Sequence, residues 1–320
     1  MFPSNLTHMN ISTYSETNRR AVLDLWARAL PLDAVTEATF ETRILLDENF
    51  DPSTFLLARD GTQLAGFVLG MYPRHLPMGD ADPAGTRAWI TALGVDPSGV
   101  LPEIAGVLLE RLERQFRSLG KRDILVSTYP PGYFTPGIDR DAYRPLLDFL
   151  LSRGYAEQKQ ALSMDAPVVL FQVPDNVIAL EARLRSDGIT VRPYQRTDLL
   201  EFLGFLEQTM PTDWVRVERA NLKKISSGTF STENITVVTH AGSIIGYCQF
   251  EGSHFGPFGV AETFQGRGIG TVLLARTLER MRQHGYHDAW VMWTDDKAAS
   301  LYKKFGFKQT RRFSILRKEL

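Results

Sequence analysis

The chain has 320 residues, of which 43% are hydrophobic and 23% are charged, and its formal net charge is −1. This composition is that of an ordinary globular protein, and the length suits two domains. The near-zero charge argues against nucleic acid or a membrane surface as a partner, and no apolar run approaches the about 20 residues that cross a bilayer.

The histidines, the single cysteine and residues 1–12 bear on metal binding, disulfide formation and cellular location. The six histidines show no metal-ligand spacing, so no metal is expected. Cys248 excludes an intrachain disulfide and lies in an apolar, strand-like run over residues 244–250, where a buried structural thiol is expected. Residues 1–12 lack a basic region followed by an apolar core, so no secretory signal is predicted. A cytoplasmic protein is the expectation.

In chain order, hydrophobic periodicity and turn residues predict the same series of elements twice. The first half predicts a strand at Ile11, a helix over 18–30, hairpin strands at 54–58 and 64–70, and Gly154-Tyr155 before a last strand. The second half predicts a strand at 189–194, helices over 197–210 and 214–225, hairpin strands at 235–239 and 243–250, and Gly306-Phe307 before a last strand.

The two halves superpose by a constant shift. Moving the first half by 165 positions places Gly94 on Gly259 and Gly120 on Gly285, as expected for an internal repeat. We predict two domains, residues 1–170 and 189–320, joined by a helical linker over residues 171–188. In each domain the order hairpin, helix, strand, helix, strand predicts a mixed sheet with helices on both faces.

A glycine-rich turn in the second half is the first indication of function. Residues 265–270, Gln-Gly-Arg-Gly-Ile-Gly, lie between a β-like run, Phe258-Gly259-Val260, and a helical run over 271–284. Such a turn leaves backbone N–H groups without helical partners, and the helix dipole adds partial positive charge, so it suits phosphate or pyrophosphate. The spacing is neither that of the P-loop nor that of the dinucleotide fingerprint.

The turn resembles the acetyl-CoA loop, Gln/Arg-x-x-Gly-x-Gly/Ala, of the GNAT superfamily of acyl-CoA-dependent N-acyltransferases. The matching positions are Gln265, Gly268 and Gly270. Glycines at 266, 268 and 270 are expected to let the ligand approach the backbone closely.

A second signature of the superfamily, Asn-x-x-Ala-x-x-x-Tyr-x-x-x-Gly-Phe, is matched downstream. Tyr302, Gly306 and Phe307 stand at its positions, and Asp295 stands where asparagine is usual. The resemblance implies an α/β (α+β) fold with two tandem GNAT-like domains, each a mixed, mostly antiparallel sheet flanked by helices.

The resemblance also implies acetyl-CoA as cosubstrate and direct acetyl transfer to a primary amine of a small molecule. Phe258, Gly259 and Val260 would pair with the pantetheine arm and polarise the thioester carbonyl. The expected pyrophosphate donors are Gln265, Gly266, Arg267, Gly268, Ile269, Gly270 and Thr271. Tyr302 would be the general acid toward the CoA thiolate, since its ordinary pKa of about 10 keeps it protonated at neutral pH.

Two assignments stay open at this stage. Asp295 is expected at the cofactor site, with capping of the helix near Lys297 as the alternative. The general base is Glu251, His254 or Glu262, or deprotonation proceeds through water without a dedicated base.

The first copy lacks the features that carry this chemistry. Residues 100–105, at the loop's shifted position, include Pro102 and Glu103 in place of the glycines, and Leu150 stands where the second copy has Tyr302. Pro102 removes a backbone donor and Glu103 adds a carboxylate. We therefore predict a degenerate first domain, a structural loop over residues 130–139, and one acyl-CoA site per chain.

The alternatives to a small-molecule N-acetyltransferase come from other classes. An enzyme that acetylates protein or peptide amines is a close variant, a non-catalytic acyl-CoA-binding or sensing protein is the second class, and a scaffold without either activity is the third. The loop together with Tyr302 favours the enzyme, because a sensor has no use for the acid.

Overall fold

The computed structural model describes residues 9–320. Most of the segment on which the secretory-signal prediction rests lies outside the described residues. The chain forms two compact units. The first contains the residues up to Ala161 together with Arg312–Leu320, and the second contains Leu162–Arg311.

The first unit is a mostly antiparallel sheet with helices. Its strands are β1 (Met9–Thr13), β2 (Phe55–Asp60), β3 (Gln63–Met71), β4 (Arg87–Val95), β5 (Asp123–Val126), β6 (Ile138–Asp139), the first half of β7 (Ala156–Pro167) and most of β13 (Lys308–Glu319). Its helices are α1 (Arg19–Ala29), α2 (Glu37–Phe40), α3 (Leu101–Ser118) and α4 (Arg144–Ser152). The strand order is β1-β2-β3-β4-β5-β13, with β6 on β13. In this order β4 and β5 run parallel.

Alternate residues of β2 place two cores on opposite faces of this sheet. Leu56 is buried with Leu108 of α3, whereas Phe55 is buried with Trp26 of α1. This is the alternation that a strand buried on both faces requires.

The second unit repeats the plan. Its strands are residues 162–167 of β7, β8 (Ile189–Pro193), β9 (Ile235–His240), β10 (Ser243–Glu251), β11 (His254–Val260) and β12 (Asp288–Thr294). Its helices are α5 (Asp175–Ser186), α6 (Leu199–Thr209), α7 (Thr212–Ser226), α8 (Ile269–Gln283) and α9 (Asp296–Lys303). The strand order is β7-β12-β11-β10-β9-β8, with β11 and β12 parallel. Cys248 is buried with Leu273 of α8 on one face, and Tyr247 with Leu206 of α6 on the other.

The internal repeat extends to the strand register. Trp89 pairs with Leu125 in the first unit, and the residues 165 positions later, His254 and Trp290, pair in the second. The predicted mixed sheet flanked by helices is confirmed for both halves.

The bounds of the compact units differ from the predicted domain bounds at both ends. The predicted linker helix is α5, and Glu181 in it is hydrogen-bonded to Arg276 of α8 within the second unit. Residues 162–167 pair with β12, and residues 317–319 pair with β5 of the first unit. Pairing partners decide the sheet to which a strand belongs, and hydrophobic periodicity does not specify them.

Among residues 9–320, no helix of either unit is both long enough and apolar enough to cross a bilayer.

Candidate active site

Strands β11 and β12 run side by side only at their beginning. They pair at His254 and Trp290, where the Trp290 N–H donates to the Ser253 carbonyl at 2.9 Å. β11 continues beside β10 as far as Val260, which pairs with Gly246. Within residues 9–320, positions 258–260 have no ladder on the β12 side, so one edge of β11 is open there.

The loop that follows β11 presents a run of free backbone donors. After a single 3₁₀ turn, Glu262–Phe264, the chain passes through Gly266 and Gly268 with positive φ angles of 79° and 84° and enters α8 at Ile269. Within the described residues, the five N–H groups of positions 266–270 have no hydrogen-bond partner. These groups lie at the positive end of a 15-residue helix.

The three glycines of this loop have different structural roles. Gly266 and Gly268 adopt the left-handed conformation, which L side chains disfavour. A Cβ at position 268 would also lie 2.8 Å from Cδ2 of Leu180 on α5, and one at Gly270 would lie 3.2 Å from Cζ of Phe258. Backbone conformation and packing therefore favour glycine at these positions, in addition to the predicted need for the ligand to approach the backbone closely.

The remaining predicted loop residues are placed as follows. Gln265 donates from Nε2 to the Val260 carbonyl at 3.1 Å, which fastens the loop to β11. The Arg267 guanidinium lies over the Phe264 ring at 5.1 Å and is exposed. Ile269 is buried in the core. The Thr271 N–H donates to Gly268 at 3.0 Å, so that amide is already used within the protein.

Tyr302 of α9 lies among aromatic residues of β11 and is 4% exposed. Its ring makes edge contacts with Phe255 and Phe258, with centroids 5.1 and 6.1 Å apart, and its hydroxyl contacts the Thr294 side chain at the end of β12. The tyrosine thus touches both strands where they diverge. Burial raises its pKa above the ordinary value, so the hydroxyl is protonated at neutral pH.

Asp295 is the N-cap of α9. Its Oδ1 accepts a hydrogen bond from the Ala298 N–H at 2.7 Å, which is the capping alternative considered from the sequence. This carboxylate oxygen is therefore engaged by the helix it begins.

The three candidate bases lie in different surroundings. Glu251 is exposed and pairs with Lys224 at 3.1 Å. The His254 ring packs on Trp290 with centroids 4.5 Å apart. Glu262 is exposed at the start of the 3₁₀ turn.

Sequence reasoning missed a buried polar cluster in the second unit, formed by Glu218 and Asn221 of α7 with Tyr247 and Gln249 of β10. Asn221 Nδ2 donates to Gln249 Oε1 at 3.1 Å. Neither oxygen of the Glu218 carboxyl group has a hydrogen-bond partner among the described residues, and burial raises its pKa from 4.5 to about 8. The feature of the sequence that could have indicated this cluster was the helical spacing of residues on α7.

That spacing places polar residues on a buried face. Residues 214, 218, 221 and 225 recur at the interval that forms one helix face. On this face Trp214 and Ile225 are the apolar members and pack with the core, while Glu218 and Asn221 are polar.

The corresponding segment of the first unit differs from the glycine loop. The Asp96 carboxylate accepts from the Ser98 N–H at 3.0 Å and pairs with Arg28 at 2.8 Å, and Pro102 lies in the first turn of α3. In the predicted structural loop over residues 130–139, which is an insertion relative to the second copy, Phe134 packs on Trp26 with centroids 5.0 Å apart, and β6 pairs with β13. A cavity of about 40 Å³ is left between β4, β5 and the insertion. The insertion is therefore a packed part of the first unit.

Cys248 is fully buried, and burial raises the pKa of its thiol to about 12, as expected for a structural thiol. Within the part of the chain that the structure describes, no three His, Cys, Asp or Glu side chains come together as a metal ion would require.

The comparisons with known proteins give the family of the domain that contains this loop. Residues 231–309, from before β9 to the start of β13, match the family model described as acetyltransferase (GNAT) domain. The chain thus contains a GNAT domain, and the resemblance drawn from residues 265–270 and 302–307 is confirmed. No curated protein sequence matches the chain.

Solved structures of GNAT proteins share the fold. A GCN5-related glucosamine N-acetyltransferase region in a fungal multi-domain GH3 beta-N-acetylglucosaminidase is 18% identical with a TM-score of 0.78, over 97% of this chain and 38% of that one. The chain therefore spans well under half of that protein. A GCN5-related N-acetyltransferase from Sphaerobacter thermophilus is 16% identical with a TM-score of 0.70, over 100% and 97% of the two chains.

The tandem arrangement also has a solved counterpart. A tandem GNAT protein from the clavulanic acid biosynthesis pathway is 13% identical with a TM-score of 0.61, over 98% of both chains. At these identities the likeness concerns the fold, which is that of a tandem GNAT protein.

Proposed function

We propose that this protein is an acetyl-CoA-dependent N-acetyltransferase that transfers the acetyl group directly to a primary amine of a small molecule. Its active site lies in the second unit. The observation that carries the proposal is the run of five unpartnered N–H groups at positions 266–270, next to the open edge of β11. A matching family model described as an acetyltransferase supports acetyl transfer as the general reaction.

The loop and the open strand edge suit the two ends of a CoA molecule. Free amides at a helix N-terminus bind pyrophosphate through hydrogen bonds and the helix dipole, and Gly266 and Gly268 present them without side chains. The backbone of Phe258, Gly259 and Val260 faces the gap toward β12 and would pair with the amide-containing pantetheine arm, as another strand would.

The chemistry requires a polarised thioester carbonyl, an uncharged amine and a proton for the departing thiolate. In the proposed reaction the amine nitrogen bonds to the acetyl carbon and loses one proton to water, and the carbon–sulfur bond then breaks to release the CoA thiolate. Backbone N–H groups of β11 stabilise the carbonyl oxygen as it gains negative charge. Tyr302, protonated and placed between β11 and β12, donates to the thiolate.

Two further observations support parts of the proposal. The fungal protein with a similar fold is described as containing a glucosamine N-acetyltransferase region, which supports a small amine as the acceptor class. The single, fully buried cysteine is compatible with a cytoplasmic location.

Calorimetric titration of the full chain with acetyl-CoA tests the loop. Asparagine and aspartate tolerate a left-handed conformation better than other side chains, and a Cβ at Gly266 meets open space. Gly266→Asn and Gly266→Asp therefore differ mainly by one negative charge. We expect the Asp variant to bind at least about 10-fold more weakly than the Asn variant.

Gly285→Asp is the matched control, because Gly285 also has a left-handed φ, 84° against 79° at Gly266, and open surroundings at the other end of α8. Its acetyl-CoA affinity should equal that of the wild type. If the wild-type chain does not bind acetyl-CoA, both the hypothesis of an enzyme and that of an acyl-CoA sensor are excluded. Turnover with small amines and with peptide amines then separates the enzyme from the sensor and identifies the acceptor class.

A further inference from the structure

Helix α7 carries a carboxyl group that the proposed reaction leaves unused. Glu218 has no exposed surface, and neither carboxyl oxygen has a hydrogen-bond partner within residues 9–320. Burying an unpaired carboxyl group is costly, and an unsatisfied buried polar group in a native protein calls for a functional explanation.

The neighbours of Glu218 in the buried polar cluster leave its carboxyl group without a hydrogen bond. The carboxyl group faces the Tyr247 hydroxyl and the Asn221 amide without a hydrogen bond of good geometry to either. Asn221 already donates to Gln249 at 3.1 Å, and the Tyr247 hydroxyl is itself buried and unpartnered. A primary ammonium group brings a positive charge and three N–H donors, enough to bond both the carboxyl group of Glu218 and the hydroxyl oxygen of Tyr247.

The titratable groups that interact with Glu218 are all acidic. The titratable groups that act on it are Tyr247, Cys248 and Glu251, all on β10, and none of them is a cation. Lys224 pairs with exposed Glu251 of that strand. Among the described residues, Glu218 makes no salt bridge, so burial dominates and raises its pKa to about 8. A cationic ligand would supply the missing charge.

The cluster lies beside the strand that is proposed to hold the thioester. Tyr247 pairs across the sheet with Gly259 of β11. A Cβ at Gly259 would lie 2.7 Å from Cε of Met210 and 3.2 Å from Cζ3 of Trp214, so these two side chains cover β11 on this face. Trp214 stands one helical turn before Glu218 on α7, and its ring contacts Tyr247 with centroids 6.4 Å apart.

We propose that the buried polar cluster receives the cationic amine of the acetyl acceptor, with Glu218 as the residue that recognises its charge; this inference rests on the proposed function. The ligand class is a primary alkylammonium whose apolar or aromatic body lies on Trp214. Met210 and Trp214 are half-buried, and their rotation opens the path from β11, since Met is long and flexible.

The test uses the full chain with 2-phenylethylamine as the cationic probe and 2-phenylethanol as its uncharged counterpart. We expect the alcohol not to bind and the amine to bind as its ammonium ion, which is acetylated after it loses one proton to solvent. At pH 7 Glu218 is mostly protonated in the free protein, so binding of the ammonium releases about one proton. Calorimetry in two buffers of different ionisation enthalpy measures this release, which a merely structural glutamate would not produce.

Glu218→Gln keeps the shape of the side chain and removes the charge. We expect KM for the amine to rise at least about 10-fold, the proton release to vanish, and the acetyl-CoA affinity to stay unchanged. Glu207→Gln is the control for loss of a glutamate nearby, because Glu207 is exposed on α6 and pairs with Arg219. It should leave KM and proton release at wild-type values.

An unchanged KM and proton release in Glu218→Gln, or a wild-type chain that binds acetyl-CoA and not the amine, would overturn the inference. Failure to bind acetyl-CoA would instead count against the proposed function. If Glu218→Gln does not fold, Tyr247→Phe decides the matter by removing an unpartnered hydroxyl of the same cluster. A raised KM for the amine in that variant supports the amine site, and an unchanged one rejects it.

Discussion

Gly268 and Leu180 are packed so closely that a Cβ at position 268 would lie 2.8 Å from the Leu180 Cδ2. Leu180 belongs to α5, the helix that the sequence suggested as a linker, and Gly268 is the N-cap of α8. Helix α5 therefore packs directly against the glycine loop. We infer that this contact helps to fix the positions of the free backbone N–H groups of the loop.

Gly268→Ala is expected to lower the free energy of unfolding by about 2 kcal/mol. Roughly 1–2 kcal/mol comes from the left-handed backbone, and the contact with Leu180 adds to it. Combining Gly268→Ala with Leu180→Ala should restore the free energy lost to the steric contact but not that lost to the left-handed backbone. A double-mutant cycle subtracts the cost of the cavity that Leu180→Ala creates by itself. Urea unfolding measures both quantities, and strict additivity of the two substitutions would contradict the contact.

Tyr302→Phe is expected to lower kcat about 100-fold without changing the acetyl-CoA dissociation constant, because it removes a proton donor and keeps the packing on Phe255 and Phe258. Steady-state kinetics and calorimetry on the same preparation give the two values. Phe307→Leu, in the aromatic contact with Tyr302, is the packing control. Full activity in Tyr302→Phe would show that the acid is another group.

Asp295→Ala is expected to cost about 1 kcal/mol of unfolding free energy, because the N-cap hydrogen bond to the Ala298 N–H is lost. Asp295→Asn should cost almost nothing, since asparagine caps as well as aspartate and is the usual residue of the signature. Thermal unfolding of the three proteins measures this. A loss of acetyl-CoA affinity in the Asn variant would assign the carboxylate a second role beyond the cap.

The pH dependence of stability should report the ionisation of Glu218. Its pKa is raised by burial from 4.5 to about 8, so between these values the folded state binds more protons than the unfolded state. The contribution of this group is fully present below pH 4.5 and is lost as the pH rises through about 8, with a slope of up to about 1.4 kcal/mol per pH unit. Glu218→Gln should flatten the curve in this range.

Asp96→Asn provides the control of opposite sign. The Ser98 side chain and Arg28 lower the pKa of Asp96 to about 2, so its contribution is present above its unfolded value and is lost as the pH falls through about 2. The two variants should diverge from the wild type at opposite ends of a urea-unfolding series against pH. A wild-type curve without slope between pH 5 and 8 would contradict the raised pKa of Glu218.

A fragment of residues 162–311 should fold better than one of residues 189–320. The first keeps the strand residues 162–167 that pair with β12 and the helix α5 that supports Gly268, whereas the second lacks both. Circular dichroism and thermal unfolding of the two fragments measure the difference. Equal cooperativity would mean that the pairing with β12 contributes little, and that residues 189–320 suffice as a domain.

The sequence predicted the parts of the site that depend on local physics. The hairpins around Gly61 and Gly242 and the free amides at the start of α8 follow from turn and helix-end chemistry that a few residues specify. At Asp295 the same chemistry gave the cap as the alternative to the expected cofactor contact, and the structure shows the cap. A repeated order of elements was enough to infer the two-copy fold, because each copy must bury the same faces.

Two features depend on contacts between residues far apart in the sequence and were not predicted. The C-terminal halves of β7 and β13 have similar hydrophobic patterns, and these patterns do not specify which sheet each segment joins. Glu218 has charged neighbours on α7, Arg216 and Arg219, so it resembled a solvated residue. Only its position on the face of Trp214 and Ile225 separates it from them.

The place of Arg312–Leu320 in the first unit sets an order of events during synthesis. The ribosome makes all of the second unit, Leu162–Arg311, between the main part of the first unit and its final strand. At about 5–20 residues per second, the first sheet waits on the order of 10 s for the strand that covers β5. Until then the edge of β5 is open, so a nascent chain stalled before Arg312 is expected to have a complete second unit while the sheet of the first unit still lacks its last strand.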